Sequence, residues 1–176
     1  MVIIRKGELK DCAGIARVEV DSYRSAYAGI FPDEYIDHFT YEEQEGDWQK
    51  WFESNKDEIL YLAENQPEEI CGYCLCKIKK DIYLGYDAEM VALHVNRKIH
   101  RQGVGSALLD KAMQELQIRG CASVMLWTLR DNPIRKWYER LGGKVIGEKK
   151  SDIDGCEIVE IAYGWEDIHH LAQSLR

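Results

Sequence analysis

Seven consecutive residues in the middle of the chain combine glycines with a basic side chain in a pattern typical of phosphate binding. In order they are His100, Arg101, Gln102, Gly103, Val104, Gly105 and Ser106. Glycines at alternate positions let the backbone turn tightly, so that successive amide N–H groups point into one concavity. A helix after the turn adds unpaired N–H groups and the positive end of its dipole, and Arg101 adds a full charge. The segment therefore predicts a pyrophosphate site.

Two common phosphate-binding motifs do not fit this segment. A P-loop needs four residues between its glycines, followed by Lys and then Ser or Thr, and this order does not occur here. A dinucleotide fingerprint needs a third glycine where Leu108 stands, and an acidic residue at the end of the next strand, which here ends in Thr128 and Leu129. On these residues alone, a tight turn without a ligand remains an alternative.

Hydrophobic periodicity predicts the elements that position this turn. Seven short apolar stretches are typical of strands, at residues 2–5, 59–63, 70–78, 90–95, 123–129, 144–148 and 157–163. Helical spacing and capping residues predict five helices. The residues expected to begin them are Asp11, Pro32, Thr40 with Glu43, Ser106 and Asn132. We therefore predict one α/β domain over residues 1–176, with a mixed central sheet of about six to seven strands and helices on both faces.

The charge balance narrows the range of partners. The 176 residues carry a formal net charge of −8, with acidic residues concentrated between positions 33 and 69. A surface for nucleic acid or anionic membrane would be basic, so we expect neither partner. The balance suits a small cationic substrate, although an acidic surface that maintains solubility is the simpler explanation. Without a membrane-length apolar run or a signal peptide, we expect a cytoplasmic location. The sequence leaves open whether the protein is a monomer or a homodimer.

Three of the six cysteines fall within one predicted strand, as Cys71, Cys74 and Cys76. Side chains alternate between the faces of a strand, so we expect Cys74 and Cys76 on one face and Cys71 on the other. Three thiolates that do not converge cannot begin a tetrahedral zinc site. We predict buried core thiols, with neither a metal site nor a disulfide framework.

Residues 90–109 are similar to the acetyl-CoA motif of the GNAT N-acetyltransferase superfamily, whose signature is Arg/Gln-x-x-Gly-x-Gly/Ala. A second similarity follows in residues 126–143, which resemble the later strand and helix of the family, with its Asn and its Phe-Tyr-x-x-x-Gly-Phe. The aromatic N-terminal helices also resemble those of many members. Two positions depart from the pattern: His100 stands where Arg or Gln is usual, and Gly143 where Phe is usual.

The resemblance implies an acetyl-CoA-dependent N-acetyltransferase without a metal. It implies that backbone groups of Leu93 and Val95 bind the pantetheine arm as an added strand, with His94 between them in the same cofactor segment. It implies that residues 100–106 hold the pyrophosphate and that Asn132 contacts the cofactor near its pantetheine. Because backbone amides provide most of the phosphate binding, His100 is compatible with that role.

The resemblance also implies the catalytic groups. Tyr138 would protonate the departing thiolate, since a phenol with a pKa of about 10 is protonated at pH 7; its alternative is a core aromatic. Glu89 matches a position where some members carry a catalytic glutamate, and the alternative is a solvated carboxylate. The side chain of His94 alternates to the other face and is a weaker candidate for the acceptor cleft.

The expected reaction is acetyl transfer to a primary amine by direct attack within a ternary complex. No cysteine has an evident His and acid partner in sequence, which disfavours a covalent acyl-enzyme. The acceptor is expected to be a small amine, or alternatively a protein N-terminus. A non-catalytic acyl-CoA sensor and a dinucleotide-dependent oxidoreductase are the competing functions.

Overall fold

The computed structural model describes residues 2–27, 29, 31, 33–55, 57–65, 69–78, 82–153 and 155–175. Seven strands form one sheet: β1 (Val2–Lys6), β2 (Ile59–Asn65), β3 (Glu69–Ile78), β4 (Ala88–Val95), β5 (Val124–Leu129), β6 (Lys144–Ile153) and β7 (Cys156–Trp165). Their order is β1-β2-β3-β4-β5-β7-β6, and every neighbouring pair is antiparallel except β4 and β5, which are parallel. The predicted mixed sheet is confirmed.

Helices cover both faces of the sheet, as predicted. They are α1 (Cys12–Ala26), α2 (Asp33–Asp37), α3 (Tyr41–Ser54), α4 (Val104–Ile118), α5 (Arg135–Arg140) and α6 (Ile168–Ser174). One face buries α4 and α6, with Leu108 and Leu116 fully buried, and the other buries α1 and α3, with Ile15 and Trp48 in its core. No helix among the described residues has the length and apolarity needed to cross a membrane.

The predicted caps of the two long N-terminal helices differ in outcome. Thr40 caps α3 as expected, since its Oγ1 accepts from the Glu43 N–H at 3.3 Å. Asp11 does not cap α1; instead its carboxylate accepts from Arg5 at 2.7 and 2.8 Å and from the Glu8 N–H at 2.8 Å. An ion pair with β1 thus replaces the expected cap. Pro32 lies outside the described residues.

The last helix, α6, was not predicted from the sequence. Asp167 accepts from the N–H groups of His169 and His170 and so caps its first turn. The two histidines are exposed, while Ile168 and Leu171 are fully buried against α4. With only seven residues, the segment has too few apolar positions to display a helical period clearly.

A β-bulge corrects the expected facing of the cysteines in β3. Ala63 lies opposite Gly72 and Glu64 lies opposite Ile70, so Cys71 has no partner in β2. An extra residue in one strand shifts the alternation of side chains. Cys71 consequently packs in the same core as Cys74 and Cys76, rather than on the opposite face. In the described part of the chain, no group of three His, Cys, Asp or Glu side chains could hold a metal ion.

The parallel strands β4 and β5 diverge soon after they meet. Their ladder contains only two residue pairs, Ala88 with Val124 and Glu89 with Met125. A second bulge lies at Val91 in β4, where the register with β3 shifts. Residues 90–95 therefore face an open gap instead of a paired strand, and we call this opening the β4–β5 gap.

Candidate active site

The edge of β4 presents the backbone groups of alternate residues to the β4–β5 gap. The Asn96 N–H donates to the Cys71 carbonyl of β3 at 2.8 Å, so Asn96 directs its backbone toward β3. Hydrogen-bonded and non-hydrogen-bonded pairs alternate along an antiparallel ladder. His94 therefore faces β3 with its backbone, whereas Leu93 and Val95 direct their N–H and C=O groups into the gap. These are the two residues predicted to bind an extended ligand.

His100 fixes the turn to this edge. Its Nε2 lies 2.8 Å from the carbonyl oxygen of Val95, so a ring N–H at this position donates to that oxygen. This contact was not anticipated from the sequence, which indicated only that His100 replaces the usual Arg or Gln. Of the backbone groups that Val95 presents to the gap, the N–H remains available for a ligand.

The glycine-containing turn has the geometry of a phosphate cradle. Arg101 and Gly103 have φ values of 60° and 81°, and α4 begins at the next residue, Val104, two residues before the predicted start. The first N–H to bond back is that of Ala107, which donates to the Gly103 carbonyl at 3.0 Å. Among the described residues, none accepts from the N–H groups of residues 101–106. The turn therefore presents six unpaired donors at a helix N-terminus, which fits a pyrophosphate.

Backbone conformation explains the glycine at position 103, and open space beside the turn explains the glycine at position 105. Gly103 adopts a left-handed backbone conformation that L side chains rarely adopt. A Cβ added at Gly105 would meet only Val95 Cγ2, at 3.8 Å, so a methyl group there would occupy open space in the cradle without striking the protein. Arg101 and Gln102 are exposed beside the turn.

Asn132 lies in the turn that connects β5 to α5. Its Oδ1 accepts from the Ile134 N–H at 3.1 Å, which is a capping contact. The helix α5 itself begins at Arg135, two residues after the expected first position, Pro133. The side-chain NH2 group makes no hydrogen bond to a described residue, so it remains a donor for a ligand. The structure thus leaves Asn132 able to perform the predicted role.

Tyr138 lies on α5 with 6% of its surface exposed. Its ring centroid is 5.4 Å from that of Trp137 and 6.1 Å from those of Tyr163 and Trp165. Burial, followed by the proximity of Cys74 and Tyr27, raises its pKa above the ordinary value for a phenol. The hydroxyl bonds to no described residue. Tyr138 is therefore held by packing, stays protonated at neutral pH and retains a free donor.

Arg135 holds α5 in position, a role that no sequence pattern indicated. Its Nη1 donates to the Arg130 carbonyl at the end of β5 at 2.7 Å, and its Nε donates to the Tyr163 hydroxyl on β7 at 2.9 Å. The Tyr163 hydroxyl in turn donates to Glu139 at 2.6 Å. The helix that carries Tyr138 is thereby tied to two strands.

Glu89 and His94 occupy different parts of β4. Glu89 is half-buried in the last residue pair between β4 and β5, where the gap closes. The His94 ring faces α1, with its centroid 5.2 Å from that of Tyr73 and 5.9 Å from that of Tyr23. Burial lowers the pKa of His94 to about 4, so its ring is neutral at pH 7. The predicted alternation of His94 away from Leu93 and Val95 is confirmed.

An aromatic wall adjoins His94 on the α1 face. Five rings spaced four residues apart in sequence form a closed circuit of contacts: Tyr23–Tyr27, Tyr27–Phe31, Phe31–Tyr35, Tyr35–Phe39 and Phe39–Tyr23. The centroid separations run from 4.6 to 5.5 Å. The wall meets β4 at the side chain of His94, which lies beside Tyr23.

Comparisons with known proteins agree with this geometry. The sequence profile of the acetyltransferase (GNAT) family matches residues 20–143. The uncharacterized N-acetyltransferase YuaI of Bacillus subtilis is 30% identical over 97% of this chain and 96% of its own length. The spermidine N(1)-acetyltransferase of Thermoplasma acidophilum is 26% identical over 89% and 93%. The PaiA N-acetyltransferase of Thermoplasma acidophilum in complex with coenzyme A superposes with a TM-score of 0.72 at 23% identity, over 92% of this chain and 98% of that one.

Proposed function

The chain belongs to the acetyltransferase (GNAT) family, and from this membership we propose how its residues perform the reaction. Members of this family are N-acetyltransferases, and acetyl-CoA is the acetyl donor. We propose transfer to a primary amine by direct attack within a ternary complex, with Tyr138 as general acid. The observation that carries the proposal is the β4–β5 gap, with unpaired amides at one end. The protonated phenol would come from Tyr138 on α5, the helix that follows β5.

The cofactor fits the groups that line this gap. The thioester of acetyl-CoA supplies the acetyl group. The N–H groups of residues 101–106 would hold the pyrophosphate, and the backbone groups of Leu93 with the N–H of Val95 would bind the amides of the pantetheine arm as a neighbouring strand does. The free amide of Asn132 would add a donor from the opposite side of the gap. His100 would keep the turn and the strand in register.

Tyr138 would hold a proton at its phenol oxygen until the thiolate departs. Because burial raises its pKa, the protonated form persists throughout the physiological range and above it. The departing thiolate has an ordinary pKa of about 8.5, below that of the phenol. The phenol therefore stabilises the negative charge that develops on the sulfur chiefly by donating a strong hydrogen bond to it. The rate is therefore not expected to fall between pH 7 and 9.5 through loss of this proton.

Glu89 would accept a proton from the attacking amine, directly or through water. At pH 7 only about one part in 2,500 of an amine with a pKa of about 10.4 is in the neutral form. Deprotonation of its ammonium group therefore costs roughly 4–5 kcal/mol, and a base that accepts the proton assists the attack. The position of Glu89 at the closed end of the gap supports this role.

The acceptor is proposed to be a small cationic amine. The aromatic wall offers ring faces of the kind that attract ammonium groups. The net charge of −8 favours the approach of a cation. The similarity to a spermidine acetyltransferase adds support for a polyamine-like acceptor.

The test is release of free coenzyme A from acetyl-CoA with a panel of amines that includes spermidine, an α-amino peptide and a lysine analogue. Tyr138→Phe is expected to lower kcat about 100-fold, as loss of general-acid catalysis typically does, with KM for acetyl-CoA little changed. Tyr61→Phe is the matched control, since Tyr61 lies on β2 and its hydroxyl bonds Glu115 of α4, and its kcat should equal that of wild type.

Full activity of Tyr138→Phe would end the assignment of the acid. If every amine fails while coenzyme A still binds, a non-catalytic acyl-CoA sensor replaces the enzyme.

A further inference from the structure

A cleft outside the β4–β5 gap lies between α1 and the short 3-10 helix that follows β4. It has a volume of about 470 Å³ and is lined by Asp21, Ser22, Arg24 and Ser25 of α1 and by Asn96, Arg97 and Lys98. Lys98 precedes the turn residue Arg101 by three positions in sequence. The cleft therefore adjoins the chain segment that leads directly into the phosphate cradle.

The lining is basic on a protein that is acidic as a whole. Three cationic side chains face one carboxylate in the cleft, whereas the chain carries a formal net charge of −8. The single carboxylate, Asp21, already accepts from the Tyr41 hydroxyl at 2.8 Å. Arg24 makes 3.4 Å contacts to the Phe39 carbonyl and the Tyr41 hydroxyl, and its Cζ lies 5.2 Å from the centroid of the Tyr41 ring. In the described part of the chain, none of the three cations lies in an ion pair.

An unpartnered hydroxyl lies in the wall of the same cleft. Ser22 is 8% exposed, and its Oγ is buried without a hydrogen-bond partner among the described residues. Its neighbour Ser25 donates to the Ser22 carbonyl at 3.2 Å and so does not satisfy the Oγ. A buried hydroxyl without a partner costs free energy, and a bound acceptor would remove that cost. This observation is independent of the charges and points to a ligand with a hydrogen-bonding group, and the three cations favour an anionic one.

We propose that this cleft binds a phosphate monoester, which Arg97 and Lys98 contact as cations and Ser22 contacts as a hydrogen-bond donor. A dianionic group with three acceptor oxygens matches two or three cations and a hydroxyl. Once a pyrophosphate occupies residues 101–106, the nearest source of such a group is the 3′-phosphate of the same coenzyme A. A separate phosphate compound is the other source of the same chemistry. The choice of the 3′-phosphate rests on the proposed cofactor site.

Calorimetric titration with coenzyme A and with 3′-dephospho-coenzyme A tests the proposal. Wild type is expected to bind the dephospho compound about tenfold more weakly, equivalent to about 1.4 kcal/mol. In the double variant Arg97→Ala/Lys98→Ala the ratio of the two dissociation constants should fall to about one, and in Ser22→Ala to about three. Binding of the dephospho compound itself should stay at the wild-type value, which shows that the turn is intact. Lys111→Ala, which removes an exposed lysine from α4, should keep the tenfold ratio.

A second arm distinguishes the source of the phosphate. If coenzyme A and its dephospho form bind wild type equally, inorganic phosphate is titrated into the complex with dephospho-coenzyme A. Binding that Arg97→Ala/Lys98→Ala abolishes then supports the cleft with a separate phosphate as ligand.

Two results would overturn the proposal. In the first, wild type binds coenzyme A and its dephospho form equally and inorganic phosphate does not bind the complex. In the second, the tenfold ratio of dissociation constants persists in both the double variant and Ser22→Ala. If neither form of coenzyme A binds wild type, it is the proposed function that fails, and the inorganic phosphate titration of the free protein still tests the cleft.

Discussion

Replacement of His94 by Phe is expected to remove a large part of the acid sensitivity of the fold. Burial lowers the pKa of His94 to about 4, against an ordinary value of 6.5. The unfolded chain therefore binds a proton at this residue below about pH 6.5, whereas the folded chain binds it only below about pH 4. Unfolding takes up a proton within this window. The stability that the neutral ring provides is fully present above pH 6.5 and is lost as the pH falls toward 4.

The size of the effect follows from the two pKa values. Their difference corresponds to about 3 kcal/mol in the free energy of unfolding, of which about 2.5 kcal/mol is lost between pH 7.5 and pH 4.5. Urea unfolding at both pH values, followed by tryptophan fluorescence, measures it. His94→Phe should lose about 2.5 kcal/mol less than wild type over this interval, because Asp11, Glu19 and the other titrating groups are common to both proteins.

His94→Leu separates titration from packing. It should share the reduced pH dependence of His94→Phe, but it should be less stable at both pH values because contacts with the rings of Tyr73 and Tyr23 are lost. If wild type and both variants lose stability in parallel, within about 0.5 kcal/mol, the ring of His94 is not buried in the neutral form and the reasoning is refuted.

Three further substitutions test the frame of the site. Gly103→Ala should cost about 1 kcal/mol in thermal unfolding, because its φ of 81° disfavours a side chain, and should weaken coenzyme A binding in calorimetry; unchanged values for both would refute the cradle. His100→Ala should raise KM for acetyl-CoA about fivefold through loss of the bond to Val95, worth about 1 kcal/mol, and an unaltered KM would exclude that role. Arg135→Ala should lower kcat more than KM, since it frees the helix that carries Tyr138; a change in melting temperature alone would mark it as merely structural.

Local patterns predicted most of the fold because each strand and the longer helices carry their own period. Thr40 caps α3 as its spacing to Glu43 indicates. Gly120, a residue type that commonly ends helices, adopts a φ of 83° after α4. The turn at residues 101–106 could be predicted because glycine spacing reports backbone conformation directly. The resemblance then supplied the expected partners of the turn, including Asn132 and Tyr138.

The remaining features depend on contacts between distant segments. Asp11 has the residue type of a cap, but an ion pair with Arg5 competes for its carboxylate. The bulges at Cys71 and Val91 have no local marker, because an unpaired residue is defined by the register of the neighbouring strand. The contact between His100 and Val95 likewise depends on how the turn folds back on β4.

The most direct test of the central claim, that acetyl-CoA occupies the β4–β5 gap, is amide hydrogen exchange measured by NMR with and without acetyl-CoA. The N–H groups of Leu93, Val95 and residues 101–106 should gain protection on saturation, while that of His94, which already faces β3, should change little. This alternation along one strand distinguishes a ligand bound as an added strand from general tightening of the fold. Unchanged exchange at Leu93, Val95 and the turn in a saturated complex would contradict the account.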